Sequence, residues 1–214
     1  MAAMVNLDWN FIFMQILAFV LCITVHEFAH AITAYRLGDQ TPKRQGRISL
    51  NPLDHLDPLG TLMLVLMVVT GARGIGWGKA VQVNPANFRH PRRDMMLVAA
   101  AGPFSNLVFA ILMAVTARLF APGMTPSLAD FMVYMVYMNI GLMFFNLIPL
   151  APLDGSKILA GLLPADAAYR YEVAMFRFGP ILLLVLVFLM PGMLSLLVGL
   201  PTVMVVSRLL GTGL

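Results

Sequence analysis

His26-Glu27-Phe28-Ala29-His30 sets two imidazoles four residues apart with a carboxylate beside the first. On a helix, residues i and i+4 share a face, so both rings can reach one metal ion. The glutamate is rotated beside them and is placed to take a proton from a water that the metal activates. That is the chemistry of metal-assisted hydrolysis. The pentapeptide lies near the end of a long apolar stretch, where ionisable side chains are costly and functional by default. A polar cluster that only ties helices together is the competing reading.

A catalytic zinc site takes three protein ligands and keeps one position open. Of the ten acidic residues, Asp154 stands out as the third ligand. It follows a long apolar stretch, within N-L-I-P-L-A-P-L-D-G at 146–155. Pro149 and Pro152 interrupt a helix there, and Gly155 permits a bend. Irregular backbone at membrane depth is tolerated where it lines a cavity. The alternative is that Asp154 caps a helix starting near Lys157. His55, between Asp54 and Asp57 in a Pro-flanked turn, is a further candidate for a metal or regulatory role, against a plain turn partner. His90, among Arg89, Arg92 and Arg93, reads as membrane-surface charge. Cys22 precedes His26 by one helical turn and reads as packing. The 17 methionines are spread through every apolar segment, which fits adaptable packing and not a copper site.

The elements that must carry these groups follow from composition. Of 214 residues, 60% are apolar and 11% charged, against about a quarter charged in a soluble domain. Mean hydropathy is +0.85. Disorder, a nucleic-acid-binding domain and an ordinary cytosolic enzyme are excluded, and a multi-pass membrane protein remains. The net charge of +4 then belongs to cytoplasmic loops and not to a nucleic-acid surface. One cysteine makes no internal disulfide. Residues 1–8 carry no Lys or Arg, so no cleaved leader is expected there.

Apolar spans are expected from Trp9 to about Leu37, from Met95 to Ala117 and from Phe131 to Leu153. A two-helix hairpin is expected over Phe178–Ser207, broken at Pro191-Gly192, with Tyr169–Arg177 as its lead-in. Pro58–Ala72 reaches only about 22 Å, short of a hydrocarbon core of about 30 Å. Nine of the 14 Lys and Arg lie between Arg36 and Arg93 and flank this segment on both sides. If it spanned, one basic loop would face outward, against the positive-inside rule. The expected fold is therefore an all-α polytopic membrane protein. It has five transmembrane helices, or six as the alternative, with a short re-entrant or β-like membrane-surface element between the first and second long helices. With five spans, the N-terminus is outside and residues 38–93 are cytoplasmic. Residues 47–52 and 80–85 echo each other: both alternate apolar and polar side chains and end in Asn-Pro, as short strands closed by turns do.

The sequence resembles the site-2 protease family of intramembrane zinc metalloproteases. The resemblance rests on H-E-F-A-H at 26–30 and N-L-I-P-L-A-P-L-D-G at 146–155. It extends to A-G-P-F-S-N at 101–106 and N-P-L-D-H-L-D-P-L-G-T at 51–61. It is closest to compact prokaryotic members, with no room for a PDZ or CBS domain. The implied layout is one unit, 1–214, with a catalytic core over about 9–160 and a C-terminal helical hairpin over about 168–210. The resemblance implies that His26, His30 and Asp154 bind one Zn2+ per chain and that Glu27 is the catalytic acid/base. The implied partner is a membrane protein cut in or beside a transmembrane helix in the lipid bilayer, in regulated intramembrane proteolysis. No nucleic acid is implied, and oligomeric state is open. The implied location is a prokaryotic inner membrane, with the site near its cytoplasmic side. The resemblance also brings Asn106 near the site, where it could bond substrate backbone or a developing oxyanion, or only a neighbouring helix. Asn146 carries the same ambiguity. A non-proteolytic homologue that binds metal and partner helices is the alternative. A metal transporter is a third reading, and the spans 95–117 and 131–145 offer few acidic or histidine stations for one.

Overall fold

The computed structural model describes residues 9–72 and 74–211. The expectation about residues 1–8 lies outside them. The described residues are helices joined by turns, with no strand among them. Five helical stretches are long and apolar enough to cross a membrane. The first is α1, Trp9–Arg36, at 28 residues and about 42 Å. It is longer than a hydrocarbon core of about 30 Å, so its polar end, from His26 to Arg36, can lie at the edge of the apolar slab. A short α2, Thr41–Arg44, follows. Next comes α3, Pro58–Thr70, started by the Asp57 carboxylate accepting from Gly60 N–H at 2.9 Å. At 13 residues it is about 20 Å long and falls short of a span, as expected.

The second span joins α4, Pro91–Phe120, to a 3-10 turn ending at Gly123. The third is α5, Pro126–Asn146. It begins before the expected Phe131 and stops seven residues before the expected Leu153. Pro149 and Pro152 cannot continue the helical hydrogen bonds, so 147–153 is a series of turns. The next helix, α6, starts at Asp154 and runs to Leu162. The expected hairpin is present as α7, Ala165–Leu189, and Pro191–Leu210. The latter is built from α8 (Pro191–Leu194), a π-helical turn and α9 (Leu200–Leu210).

α4 is the central helix and packs on α1, α5, α6 and α9. Ala110 and Ala114 on α4 meet Val136 and Ile140 on α5 and Val206 on α9, all buried. Small side chains allow this close approach where lipid supplies no hydrophobic drive between helices. The outer faces carry exposed Phe104, Leu112, Phe176 and Leu189, which suits contact with lipid.

The two echoed segments form the same local structure, and it is not a strand. Asn51 accepts from Leu53 N–H at 3.2 Å, and Asn84 accepts from Ala86 N–H at 3.1 Å. Each asparagine starts a proline-led 3-10 turn. The segments lie side by side through Gln45 and Gln82, whose amides bond at 2.8 Å. The Arg47 guanidinium also donates to the carbonyls of Asp54 and Lys79. One antiparallel bridge joins Leu56 to Gly78.

Candidate metal centre and active-site cavity

Two elements bring together the residues that the sequence separates. His26 and His30 project from one face of α1, and Asp154 from the first position of α6. The Nε2 atoms of the two histidines lie 3.0 Å apart. Asp154 Oδ2 is 3.1 Å from His26 Nε2 and 3.3 Å from His30 Nε2. Among the described residues, these are the only three His, Cys, Asp or Glu side chains grouped closely enough to hold one ion. Asp154 is not a helix cap, because the cap position is Leu153.

The far side of each imidazole decides what faces the centre. His26 Nδ1–H donates to Asn106 Oδ1 at 2.6 Å. His30 Nδ1–H donates to the Val98 carbonyl at 2.7 Å. A neutral imidazole with a protonated Nδ1 presents a lone pair at Nε2. Two such lone pairs and a carboxylate oxygen then converge with no hydrogen between them. Asp154 Oδ2 is buried and has no hydrogen-bond donor. An acceptor-only cluster of this kind calls for a cation. Two imidazoles and one carboxylate suit zinc, whose bonds of about 2.0–2.1 Å place tetrahedral ligands about 3.3 Å apart. The donor set and its spacing fit that ion.

Close packing holds the cluster. At Gly102 on α4, a Cβ would sit 2.6 Å from His26 Cε1 and closer still to His30 Nε2. At Gly155, a Cβ would sit 2.5 Å from the Ile148 carbonyl oxygen. The first glycine lets α4 back onto both rings, and the second lets α6 start against the turns that follow α5.

Glu27 follows His26 on α1 and is buried. Its Oε2 accepts from Val81 N–H at 2.9 Å, across the chain from the 78–83 segment. His26, Glu27, His30 and Asp154 share the wall of one cavity of about 620 Å³. Trp77, Val81, Phe145 and Leu183 supply much of its apolar lining, and Lys157 reaches its edge.

The remaining sequence candidates fall in different places. Asn146 is on the cavity wall, with its Nδ2 donating to Leu142 O at 3.0 Å. Asn106 is not on that wall. It is fully buried; its Oδ1 accepts from His26 Nδ1–H, and its Nδ2 donates to Asn139 Oδ1 at 2.9 Å and to Cys22 O. Of the two readings the sequence left open for Asn106, contact with substrate or a bond to a neighbouring helix, the packing of α1 against α4 makes the second, to the His26 ring. His55 stands apart from the cluster, as the turn-partner reading had it. It is fully buried away from the cluster, and its Nε2 bonds Ser49 O at 2.7 Å. The turn capped by Asn51 carries the ring back onto its own loop. Sequence reasoning missed Asn139 and the bond from Val81 N–H to Glu27. A lone asparagine in an apolar span is costly, so Asn139 had a legible signal. A backbone N–H has none.

Fold and site together define a polytopic helical membrane protein with a buried two-histidine, one-aspartate centre beside a glutamate. The chain belongs to peptidase family M50, the site-2 protease family, and is an integral membrane protein. The profile of peptidase family M50 matches residues 121–187, the part that holds Asp154. YwhC of Bacillus subtilis, named as a candidate zinc metalloprotease, is 38% identical over 156 residues, covering 70% of this chain and 68% of YwhC. Rip2 of Mycolicibacterium smegmatis, named in the same way, is 33% identical over 147 residues, covering 67% of this chain and 55% of Rip2. Rip2 of Mycobacterium tuberculosis is 31% identical, covering 68% of this chain and 56% of Rip2. No solved structure matches the chain significantly.

Proposed function

We propose that this protein is a zinc metalloendopeptidase that hydrolyses a peptide bond in or beside a membrane-spanning segment of another protein, in regulated intramembrane proteolysis. The observation that carries this reading is the convergence of His26 Nε2, His30 Nε2 and Asp154 Oδ2 within 3.0–3.3 Å, with Glu27 on the same cavity wall. The zinc-metalloprotease names of the relatives support it. His26, His30 and Asp154 hold one zinc ion, which supplies Lewis acidity that polarises the scissile carbonyl and lowers the pKa of a water towards about 7.

The chain's own groups do the rest. Asn106 and the Val98 carbonyl keep both Nε2 atoms turned to the centre. Glu27 takes the proton of the attacking water and passes it to the leaving amine. Val81 N–H holds one carboxylate oxygen of Glu27, which leaves the other for that transfer. Asn146, at the wall, is placed to bond the substrate backbone or the developing oxyanion. The apolar lining admits a membrane segment and limits water. The 78–83 segment lies beside Glu27 and offers backbone groups to an extended peptide. The core over about 9–160 and the hairpin over about 168–210 act as one unit, since Leu183 and Phe188 line the same cavity. The cell membrane of a prokaryote is the setting, with the site near the cytoplasmic face, where the basic loops gather.

Metal content and cleavage together test the reading. Detergent-purified wild type should carry about one zinc per chain, and His26→Ala and Asp154→Ala should lose it. Glu27→Gln should keep the metal and lose proteolysis. A wild-type chain that takes up no zinc on reconstitution would overturn the proposal.

A further inference from the structure

Residues 79–84 carry no helix or strand, yet the Val81 N–H among them meets Glu27 Oε2 at 2.9 Å. A segment without its own hydrogen-bond ladder must be fixed from outside. Asp39 grips its far end, where Oδ2 accepts from Asn84 N–H at 2.8 Å. The near end is Lys79, which is held by both of its backbone groups. Its N–H donates to His55 O at 2.8 Å, and its carbonyl accepts from the Arg47 guanidinium. The other arm of Arg47 donates to the carbonyl of Asp54, the residue before His55. Arg47 therefore straddles the joint between the two loops and closes a ring of hydrogen bonds around it.

Arg47 is 3% exposed and forms no ion pair among the described residues. Burial lowers its pKa from the ordinary value, and the charges of Glu27 and Asp54 oppose this. Its Nε–H is buried without an acceptor. A buried cation with one donor unmatched is a poor device for stability. It is a good device for geometry, because a guanidinium is planar and presents its donors as a rigid fork. Such a fork fixes two carbonyls relative to each other, which a flexible lysine ammonium does not. One of those carbonyls is two residues before Val81.

We infer that Arg47 is a positioning residue for Glu27: it locks the Lys79 carbonyl to the 54–56 loop and so holds Val81 N–H against the Glu27 carboxylate. The inference rests on the proteolytic reading above and adds what keeps the proton-transferring group in place.

The test compares Arg47→Ala and Arg47→Lys with the wild-type full chain in phosphatidylcholine vesicles. Both variants should keep zinc content and helical circular dichroism, because no ligand is touched. The first readout is hydrogen exchange at the Val81 amide, followed by mass spectrometry of peptides covering 78–83. Val81→Pro lacks that amide and identifies its signal. Exchange should be faster in both variants, by roughly tenfold or more in Arg47→Ala. The second readout is cleavage of a synthetic membrane-spanning peptide. In Arg47→Ala, kcat should fall by roughly tenfold or more with KM little changed, and Arg47→Lys should recover only part of that loss. In the Val81→Pro background, Arg47→Ala should cost nothing further, since both changes release the same bond. Arg44→Ala removes an exposed charge from the same loop and should behave as wild type.

Unaltered Val81 exchange in Arg47→Ala would overturn the inference, and that readout requires no turnover. So would losses that multiply in the double variant, an equal loss in Arg44→Ala, or full activity in Arg47→Lys. Loss of zinc in both Arg47 variants would also overturn it, by making the residue a support of the whole fold. Faster exchange in Arg47→Ala, with a wild-type chain that cuts no peptide, keeps the hold on Val81 and removes the protease.

Discussion

Asn106 Oδ1 stands 2.6 Å from His26 Nδ1, on the side of the ring opposite Asp154. The bond turns one imidazole nitrogen into a committed donor and leaves a lone pair on the other, which faces Asp154. Asn106 is itself held by Asn139, whose Nδ2 donates to Met135 O at 2.9 Å. A chain of two buried amides thus runs from α5 through α4 to the ring on α1.

Loss of such a support typically lowers metal affinity about 10- to 100-fold. Asn106→Ala should show a loss of that size in a chelator competition. Asn106→Asp, which still offers an oxygen to Nδ1–H, should keep most of the affinity. Equal zinc affinity in Asn106→Ala and wild type would show that the ring needs no such partner.

Gly102→Ala should be more severe than its size suggests. The new methyl would sit 2.6 Å from His26 Cε1, so either α4 or the rings must move. The expected result is loss of the bound zinc with the helical content retained. Cobalt substitution reports the same event, since the tetrahedral absorption bands should vanish.

Val81→Pro removes the N–H that binds Glu27 Oε2. Zinc should remain, because no ligand is touched. Cleavage should fall by roughly a hundredfold if the carboxylate shifts by about 1 Å. Normal turnover in this variant would show that neither Glu27 nor substrate depends on the 78–83 segment.

Asp39 predicts an acid limb in stability. It is fully buried and accepts from Thr41 N–H and Oγ1–H, Asn84 N–H and Asn87 Nδ2 at 2.6–3.0 Å. Burial alone would raise its pKa, but these bonds outweigh it and hold the carboxyl below its ordinary value. A depressed folded-state pKa stabilises the protein above the ordinary carboxylate pKa of about 3.9. That stability is lost as pH falls through the folded-state value. Asp39→Asn should lower stability at neutral pH by about 3 kcal/mol. It should also flatten the acid decline of the thermal midpoint, followed by circular dichroism in detergent from about pH 5 down to about pH 2, across the ordinary carboxylate pKa and below it.

Much of the molecule was legible along the chain because the membrane makes strong local demands. A span needs a long apolar run, a basic loop prefers one side, and a charged group inside must have a purpose. Hence five spans, the short α3 and the hairpin at Pro191 follow from patterning alone. H-E-x-x-H is local too: its geometry is a property of one helix, so His26, Glu27 and His30 could be read directly. Asp154 needed the prolines around it as a clue, and its arrival beside the histidines depends on α6 starting after the turns at 147–153.

Tertiary structure decided what no local pattern encodes. Each Asn-Pro segment is a turn capped by its own asparagine, and that the two lie together, through Gln45 with Gln82 and through Arg47 on the carbonyls of Asp54 and Lys79, is set by the fold. The fold also buries His55 away from the cluster. Asn106 could face substrate or a helix on sequence grounds, and the packing of α4 against α1 turned it to His26. Whether a polar side chain supports a ligand or meets a substrate depends on which helix backs onto it, and that is a property of the packed bundle.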